Sequence, residues 1–216
     1  MTTVASVDIE EGFENRGQIC KTVEEAVWEL GISDKLEKIL IKPPPSGSSV
    51  DMNYLNPKKK SLELEIVDSL DNLEGRVRHE LMHVVDQLDK KFKYKKSREP
   101  REGTGEHRRY KYLWNVYIDS RLSMDGKPAY ETREGREKEM GECYPELSTD
   151  MRKKVFDCLW ELKPLNHKQI TGMSRDLFSA SKELRSLAHS RGEKLHNFKT
   201  LEDLKNYGQW GDISVG

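Results

Sequence analysis

Residues 79 to 83 read His-Glu-Leu-Met-His, and their types and spacing are those that a catalytic metal site needs. An α-helix turns once every 3.6 residues, so His79 and His83 would project from one face and could bind a single Zn²⁺ together. Glu80 would then be placed to take a proton from a water that the metal activates. The pentapeptide therefore predicts one zinc ion per chain, with Glu80 as a general base.

A histidine pair of this kind also occurs as surface decoration or as a hydrogen-bonded pair beneath a loop, so the surrounding sequence matters. Asp71 and Glu74 have the spacing of a capping box, with Asn72 as the first helical residue, and no proline follows until Pro100. We predict a helix from Asp71 to about Lys91. Its apolar residues recur at helical spacing and predict a buried stripe of Leu73, Val77, Leu81, Val84, Val85 and Leu88.

The polar residues of this helix define a second stripe. His79 and His83 share it with Gly75 and Asp86, and a stripe of this composition could face a cleft. Asp86, one turn beyond His83, is a candidate to brace a metal ligand or to bind a basic substrate side chain. The predicted helix thus has an apolar back and a ligand-bearing front.

A catalytic zinc site needs a third protein ligand, and the next predicted helix offers candidates. Asn115 and Asp119 are four residues apart and so lie on one face. We predict Asp119 as the third metal ligand, because a carboxylate is a better zinc ligand than a neutral amide. Asn115 would then bond to a ligand or to substrate, although Asp119 could instead pair with Arg121 on an exposed face. Two reserve candidates for the third ligand are Glu106 and His107.

These residues resemble the metal-binding helix of the zincin metallopeptidases. The residues around the motif are uncharged, as that family's extended pattern requires, except at Arg76. Over about residues 36 to 124, the strands before the motif and the helix after it resemble the gluzincin branch in its minimal prokaryotic form. Metzincin membership is not indicated, because Asp86 and Asp89 stand where that branch has a glycine and a third histidine.

The gluzincin resemblance implies a second assignment of the site. In that branch the second helix supplies a glutamate ligand, and an aspartate four residues later braces the first histidine. Laid on this sequence, Asn115 takes the ligand position and Asp119 the bracing position. Either Asp119 is itself the ligand, as aspartate is in another zincin branch, or the site binds its metal weakly.

These residues together predict a zinc-dependent metallopeptidase that hydrolyses peptide or protein substrates with metal-activated water. Candidate hydrogen-bond donors to the oxyanion are Arg121, Tyr117, Tyr130 and Tyr144. The strand near residues 61 to 67, or its neighbour, could hold an extended peptide at a free edge. Two alternatives stay open: a weak or inactive zincin-like scaffold that acts as a binding or regulatory protein, and a hydrolase of a non-peptide amide.

Composition limits the partners and the compartment. Lys and Arg number 37 against 38 Asp and Glu, so the formal net charge of −1 gives no support for a nucleic-acid or membrane partner. Three widely spaced cysteines predict free thiols, not disulfides. The first residues lack the pattern of a secretory signal, and no apolar run is long enough to cross a bilayer, so a cytoplasmic location is expected. Oligomeric state is left open.

The chain as a whole predicts an α+β fold: a small mixed or antiparallel sheet packed on the motif helix and a second ligand helix, followed by a helical C-terminal region. We expect a loose leader over residues 1 to 20, a metal-binding core over 21 to 130, a helical extension over 131 to 208 and a flexible tail over 209 to 216. Predicted strands cover residues 36–42, 52–55 and 61–67, and predicted helices cover 23–30, 106–124, 133–142, 149–162, 168–190 and 201–207. The lysine-rich stretch between residues 90 and 109 is expected to be a mobile loop.

Overall fold

The described residues form a four-stranded sheet and six α-helices, and all four strands precede the last five helices in the chain. The structure is a computed structural model, and it describes residues 5–46, 48, 50–178 and 184–185. The predicted α+β class is confirmed. The elements are β1 (Ser6–Ile9), α1 (Arg16–Glu29), β2 (Lys38–Lys42), β3 (Met52–Asn56), β4 (Ser61–Glu65), α2 (Leu73–Leu88), α3 (Gly105–Met124), α4 (Arg133–Cys143), α5 (Thr149–Glu161) and α6 (His167–Arg175).

The sheet is mixed, and its strand order is β1-β2-β4-β3. β1, β2 and β4 run parallel, while β3 pairs antiparallel with β4 and lies at the edge. In β4, Leu62 and Leu64 are buried and Glu63 is exposed, as the alternation predicts. Glu65 departs from this alternation, because it is buried, where Lys42 and the Tyr54 hydroxyl contact its carboxylate.

The prediction of a loose leader over residues 1 to 20 is wrong for the residues described. β1 pairs in register with β2, and α1 already begins at Arg16. Thr22, which precedes the predicted helix over 23–30, lies inside the observed helix, where its hydroxyl donates a hydrogen bond to the Gln18 carbonyl. Ile19 is fully buried, so the first turns of α1 belong to the core that covers the sheet.

The motif helix α2 begins later than predicted. Asn72, not Asp71, precedes its first residue, and Asn72 has a left-handed backbone (φ 45°) with no side-chain capping bond. Its amide instead donates to the carbonyl oxygens of Ala129 and Tyr130, 2.9 Å away in each case, so it joins the helix start to the segment after α3. The apolar stripe of α2 is buried as predicted at four positions and half-buried at Val85 and Leu88.

The core of the protein is divided into two apolar clusters. One contains the sheet, α1 and the apolar stripe of α2, and the other contains α3 to α6. α3 matches its prediction to within one residue and packs against α2, α4, α5 and α6. The predicted helix over 168–190 is observed as α6 as far as Arg175, and residues 176–178 are not helical. Most of residues 179–190, and the predicted segments over 201–207 and 209–216, lie outside the described residues.

Two further expectations concern covalent and membrane structure. No disulfide joins the three cysteines, all of which lie in the part of the chain that the structure describes. Among the described residues, no helix combines the length and the apolar composition that crossing a membrane requires.

Candidate metal centre

The centre is built where the polar stripe of α2 meets the middle of α3. His79 is 3% exposed, and its Nδ1 lies 2.7 Å from Oδ1 of the fully buried Asp119. A carboxylate can only accept a hydrogen bond, so the proton of the imidazole resides on Nδ1. In the neutral ring, Nε2 therefore presents its lone pair on the opposite side, away from Asp119. This carboxylate–histidine pair fixes the tautomer that a metal-binding imidazole needs.

The side chain that faces this lone pair is Asn115. Its Oδ1 lies 3.3 Å from Nε2 of His79, so two acceptor atoms point at the same space. Acceptors in this arrangement need a proton or a cation between them. Asn115 also bonds to His83, and this contact is among the influences on the pKa of that ring. The amide thus lies against both histidines of the motif, at the position where a third ligand belongs.

His83 is held by a series of contacts between α2 and α3 that consists of a ring contact, a hydrogen bond and an ion pair. Its ring meets the Trp114 ring edge to face at a centroid distance of 4.5 Å. Trp114 donates from Nε1 to Asp86, and Arg121 donates both of its terminal nitrogens to the same carboxylate at 2.8 and 2.7 Å. Burial, followed by the neighbouring His79, holds the pKa of His83 well below its ordinary value, which keeps the ring neutral and leaves one nitrogen lone pair available.

Glu80 lies next to the edge strand. Its side chain is buried, and Oε2 accepts a hydrogen bond of 2.6 Å from the Asn53 amide of β3. Gln87, two turns further along α2, donates to Asn53 Oδ1 and so orients that amide. Burial raises the pKa of Glu80, and this is the direction expected of a carboxylate that exchanges protons near neutral pH.

The surroundings of Asp119 bear on its predicted role as the third ligand. Besides the bond to His79, Oδ1 accepts from the Tyr130 backbone N–H at 3.2 Å, and Oδ2 accepts from Arg136 Nε at 2.7 Å. Although burial would raise its pKa, the hydrogen bond and charge of His79 and the charge of Arg136 hold the pKa of Asp119 below its usual value. Both oxygens are therefore engaged behind His79, on the side remote from Nε2. This is the geometry of the bracing position.

Tyr130 lies on the other side of His79, at a ring-centroid distance of 5.2 Å. Its backbone is fixed twice, by donation to Asp119 and by acceptance from Asn72, and its ring lies under the Arg136 guanidinium. The side chain is half-buried, and the charges of Asp51 and Glu80 act on its hydroxyl. The hydroxyl therefore lies within the electrostatic reach of the Glu80 carboxylate.

The other three predicted oxyanion donors contact residues outside the motif. Arg121 pairs with Asp86 and stacks on Tyr117 at 4.0 Å, while the Tyr117 hydroxyl bonds to the backbone of Leu165. Tyr144 is buried in the helical cluster beside Arg109. Of the four candidates, Tyr130 alone contacts a residue of the motif.

The reserve ligands lie outside this group. Glu106 forms an ion pair with Arg175, more than two helical turns before Asn115. His107 lies in the same first turn and packs against Tyr110. Among the described residues, no group of three His, Cys, Asp or Glu side chains is arranged to hold a metal ion. The third side chain at the histidine pair is the amide of Asn115, and two imidazole nitrogens with one amide oxygen make up the donor set that the geometry offers.

Several residues of the centre carried no signal in the sequence. Asn53 and Gln87 reach Glu80 only because β3 lies beside α2, and Arg136 reaches Asp119 from α4. Arg76, which departs from the zincin pattern, has a structural reason. It ties α2 to buried Asp51 and donates to two carbonyls just after β4, at Val67 and Ser69.

Comparison of this chain with protein-family models, with curated proteins and with solved structures finds no match.

Proposed function

We propose that the chain is a zinc-dependent metallopeptidase in which His79, His83 and Asn115 hold the metal and Asp119 braces His79. The observation that carries this proposal is the fixed tautomer of His79, whose Nε2 lone pair converges with Asn115 Oδ1 at 3.3 Å. When bound there, zinc would supply Lewis-acid polarisation and a more acidic water.

Glu80 is the proposed general base. It takes a proton from the attacking water and delivers it to the leaving amine, a role that a buried carboxylate with a raised pKa can perform in both directions. The bond from Asn53 leaves Oε1 of Glu80 as the oxygen that can work on water. Asn53 and Gln87 position this carboxylate and do not themselves react.

Tyr130 is the proposed donor to the developing oxyanion. Its hydroxyl is half-buried beside His79, and its backbone bonds to Asp119 and Asn72 hold it in place before substrate arrives. A donor that needs no reorganisation contributes most to the stabilisation of charge in a transition state. Tyr130→Phe is expected to lower kcat with zinc affinity unchanged.

An extended peptide is the proposed substrate, bound along β3. β4 is paired on both sides, so the free edge next to Glu80 belongs to β3, which has a hydrogen-bonded partner on one side only among the described strands. Asn53 faces the centre, whereas Met52 and Tyr54 are exposed on the opposite face. Main-chain pairing with this edge would present a scissile carbonyl to the metal helix.

The second candidate is a zincin-like scaffold in which the motif holds a structural metal and the protein binds a partner, with little or no catalysis. The observation that favours it is the neutral amide of Asn115 at the third ligand position, because amide oxygen is an uncommon zinc ligand. Both candidates predict zinc binding, but only the peptidase predicts turnover.

Elemental analysis and a zinc-competition titration on wild type, Glu80→Gln, His83→Ala, Asn115→Ala and Asp119→Ala test the proposal, each with a casein and peptide-library cleavage assay. We expect one zinc per wild-type chain, loss of zinc in His83→Ala and Asn115→Ala, and an affinity lower by about 10–100-fold in Asp119→Ala. Glu80→Gln should keep zinc and lose cleavage. His107→Ala is the matched control and should change neither.

The outcomes separate the assignments. Wild-type zinc affinity in Asn115→Ala, with all zinc lost in Asp119→Ala, would make Asp119 the ligand and overturn the role given to Asn115. Zinc in the wild type without cleavage would favour the scaffold. A wild-type chain without zinc affinity would refute both.

A further inference from the structure

The connection between α2 and α3 has a high density of positive charge, which the net charge of the whole chain does not reveal. Residues 90 to 101, called here the basic loop, contain seven Lys or Arg and one Glu, in a chain whose formal net charge is −1. The average charge that argued against a polyanionic partner therefore does not describe this surface.

Four lysines of the basic loop are exposed and form no side-chain ion pair with a described carboxylate. These four lysines are Lys90, Lys91, Lys93 and Lys95. Some exposed lysines elsewhere are paired, as Lys38 is with Asp8 and Lys60 with Glu37, whereas others, such as Lys58 and Lys153, form no ion pair among the described residues. Within the loop, only Lys96 reaches an acid, Glu99. Four neighbouring unpaired charges on one loop repel one another, and an anionic partner would relieve that repulsion.

The basic loop is anchored to the fold, contrary to the prediction of a mobile segment. Phe92 is buried against Trp114, and its carbonyl accepts from the backbone N–H of His167 at 2.9 Å. The N–H of Lys95 donates to Nδ1 of the same histidine, and Tyr94 bonds to Glu99. The backbone is thus held at two points within its lysine run, Phe92 and Lys95, so a ligand need not order these residues on binding.

The same anchor extends the charged surface. Lys168 follows His167 at the start of α6, is exposed and has no ion pair among the described side chains. Because His167 bonds to the backbone of both Phe92 and Lys95, Lys168 is brought next to the basic loop from a position more than 70 residues later in the chain. The patch is therefore assembled by the fold and is not only a run of sequence.

The side chains around these lysines indicate which anion would fit. Phe92 is buried, and Tyr94 is half-buried with its hydroxyl bonded, so no aromatic ring is offered for stacking on an unpaired base. The exposed large apolar residues of the described chain all lie outside the loop, so it has no apolar anchor for a bilayer. Lysine ammonium groups without aromatic or apolar companions suit phosphates at the surface of a duplex.

We propose that the basic loop and Lys168 bind the phosphate backbone of double-stranded nucleic acid without reading its sequence. The proposal does not depend on peptidase activity. A nucleic-acid partner, which the balanced composition made unlikely, becomes a specific expectation for this face of the protein.

Fluorescence anisotropy with a labelled 20-base-pair DNA duplex tests the proposal. If about four phosphates are neutralised, affinity should fall by about 100-fold between 50 and 200 mM salt. A loop variant carries Lys90→Gln, Lys91→Gln, Lys93→Gln and Lys95→Gln. It should bind the duplex at least about tenfold more weakly than wild type at 50 mM salt, and its affinity should depend less steeply on salt. A control variant removes the same charge from exposed lysines elsewhere and should bind like wild type; it carries Lys58→Gln, Lys59→Gln, Lys153→Gln and Lys154→Gln.

Circular dichroism melting of both variants checks that their folds are intact, as expected for exposed side chains. Absence of duplex binding at 50 mM salt would overturn the proposal. Equal weakening in the two variants would also overturn it, because the binding would then follow net charge and not this surface. Preference for single strands, for polyglutamate or for phosphatidylserine vesicles over the duplex would assign the patch to another class of partner and equally refute it.

Discussion

Stability should fall in mild acid because His167 is buried as a neutral ring. Its side chain is fully buried, Nδ1 accepts from the Lys95 N–H, and Nε2 lies 3.1 Å from the Tyr110 hydroxyl. The proton of the neutral ring is therefore on Nε2, and protonation of Nδ1 breaks the bond to the loop. Burial lowers the pKa of His167 from 6.5 to about 4, with the Arg98 charge acting in the same direction and Glu99 opposing it.

The sign and size of the effect follow from linkage. Because the folded pKa lies below the unfolded one, the unfolded chain takes up the proton first as the pH falls. The stabilisation is complete above pH 6.5 and is lost progressively as the pH falls to about 4. A pKa lowered by this amount corresponds to about 3 kcal/mol, of which about 2.5 kcal/mol is lost between pH 7 and pH 4.5.

Urea unfolding at pH 7 and pH 4.5 measures this loss, with wild type compared against His167→Gln. Glutamine keeps an acceptor for the Lys95 N–H but does not titrate. Other groups titrate equally in both proteins, so the difference between their pH dependences isolates the histidine. We expect wild type to lose about 2.5 kcal/mol more than the variant over this range. Equal losses in the two proteins would refute the reasoning that a neutral His167 holds α6 to the loop.

Three other predictions test the supports of the metal centre. Arg136→Met should lower the free energy of unfolding by about 3–5 kcal/mol, measured by urea titration, because it leaves the buried charge of Asp119 without its cation. Gly75→Ala should cost at least about 1–3 kcal/mol by the same measurement, because a Cβ would run into the Ala129 carbonyl oxygen. Asn115→Glu should tighten zinc binding by about tenfold or more in a competition titration, since a carboxylate would offset the metal's charge. Unchanged stability or unchanged zinc affinity would count against the corresponding contact.

Local patterns predicted the elements that carry their own signals. α3, α4 and α5 agree with their predicted bounds to within a residue, because apolar spacing and capping residues act over one or two turns. The prediction of a loose leader at the N-terminus is wrong for the same reason. β1 has only four residues, and its parallel partner β2 begins at Lys38, so its pairing is invisible to a local pattern.

The site was predictable only in part. The i, i+4 rule placed His79 with His83 and Asn115 with Asp119, since each pair lies within one helix. Ligand chemistry alone favoured Asp119 as the metal ligand, because a carboxylate is the stronger donor. Three groups, however, converge on Asp119 from α2, α4 and the segment after α3. Such contacts depend on tertiary packing and have no counterpart in the spacing of residues.

The charge around the centre explains why a neutral amide at position 115 matters. Asp119 carries the nearest buried negative charge behind His79, but the ion pair with Arg136 compensates it. Two imidazoles and an amide add no charge of their own, so a bound divalent cation would keep nearly its full charge at the face turned toward Glu80. A cation in that state polarises a carbonyl strongly and is held weakly. In the proposed arrangement, zinc affinity and catalytic strength would be opposed at a single side chain, and Asn115 would set the balance between them.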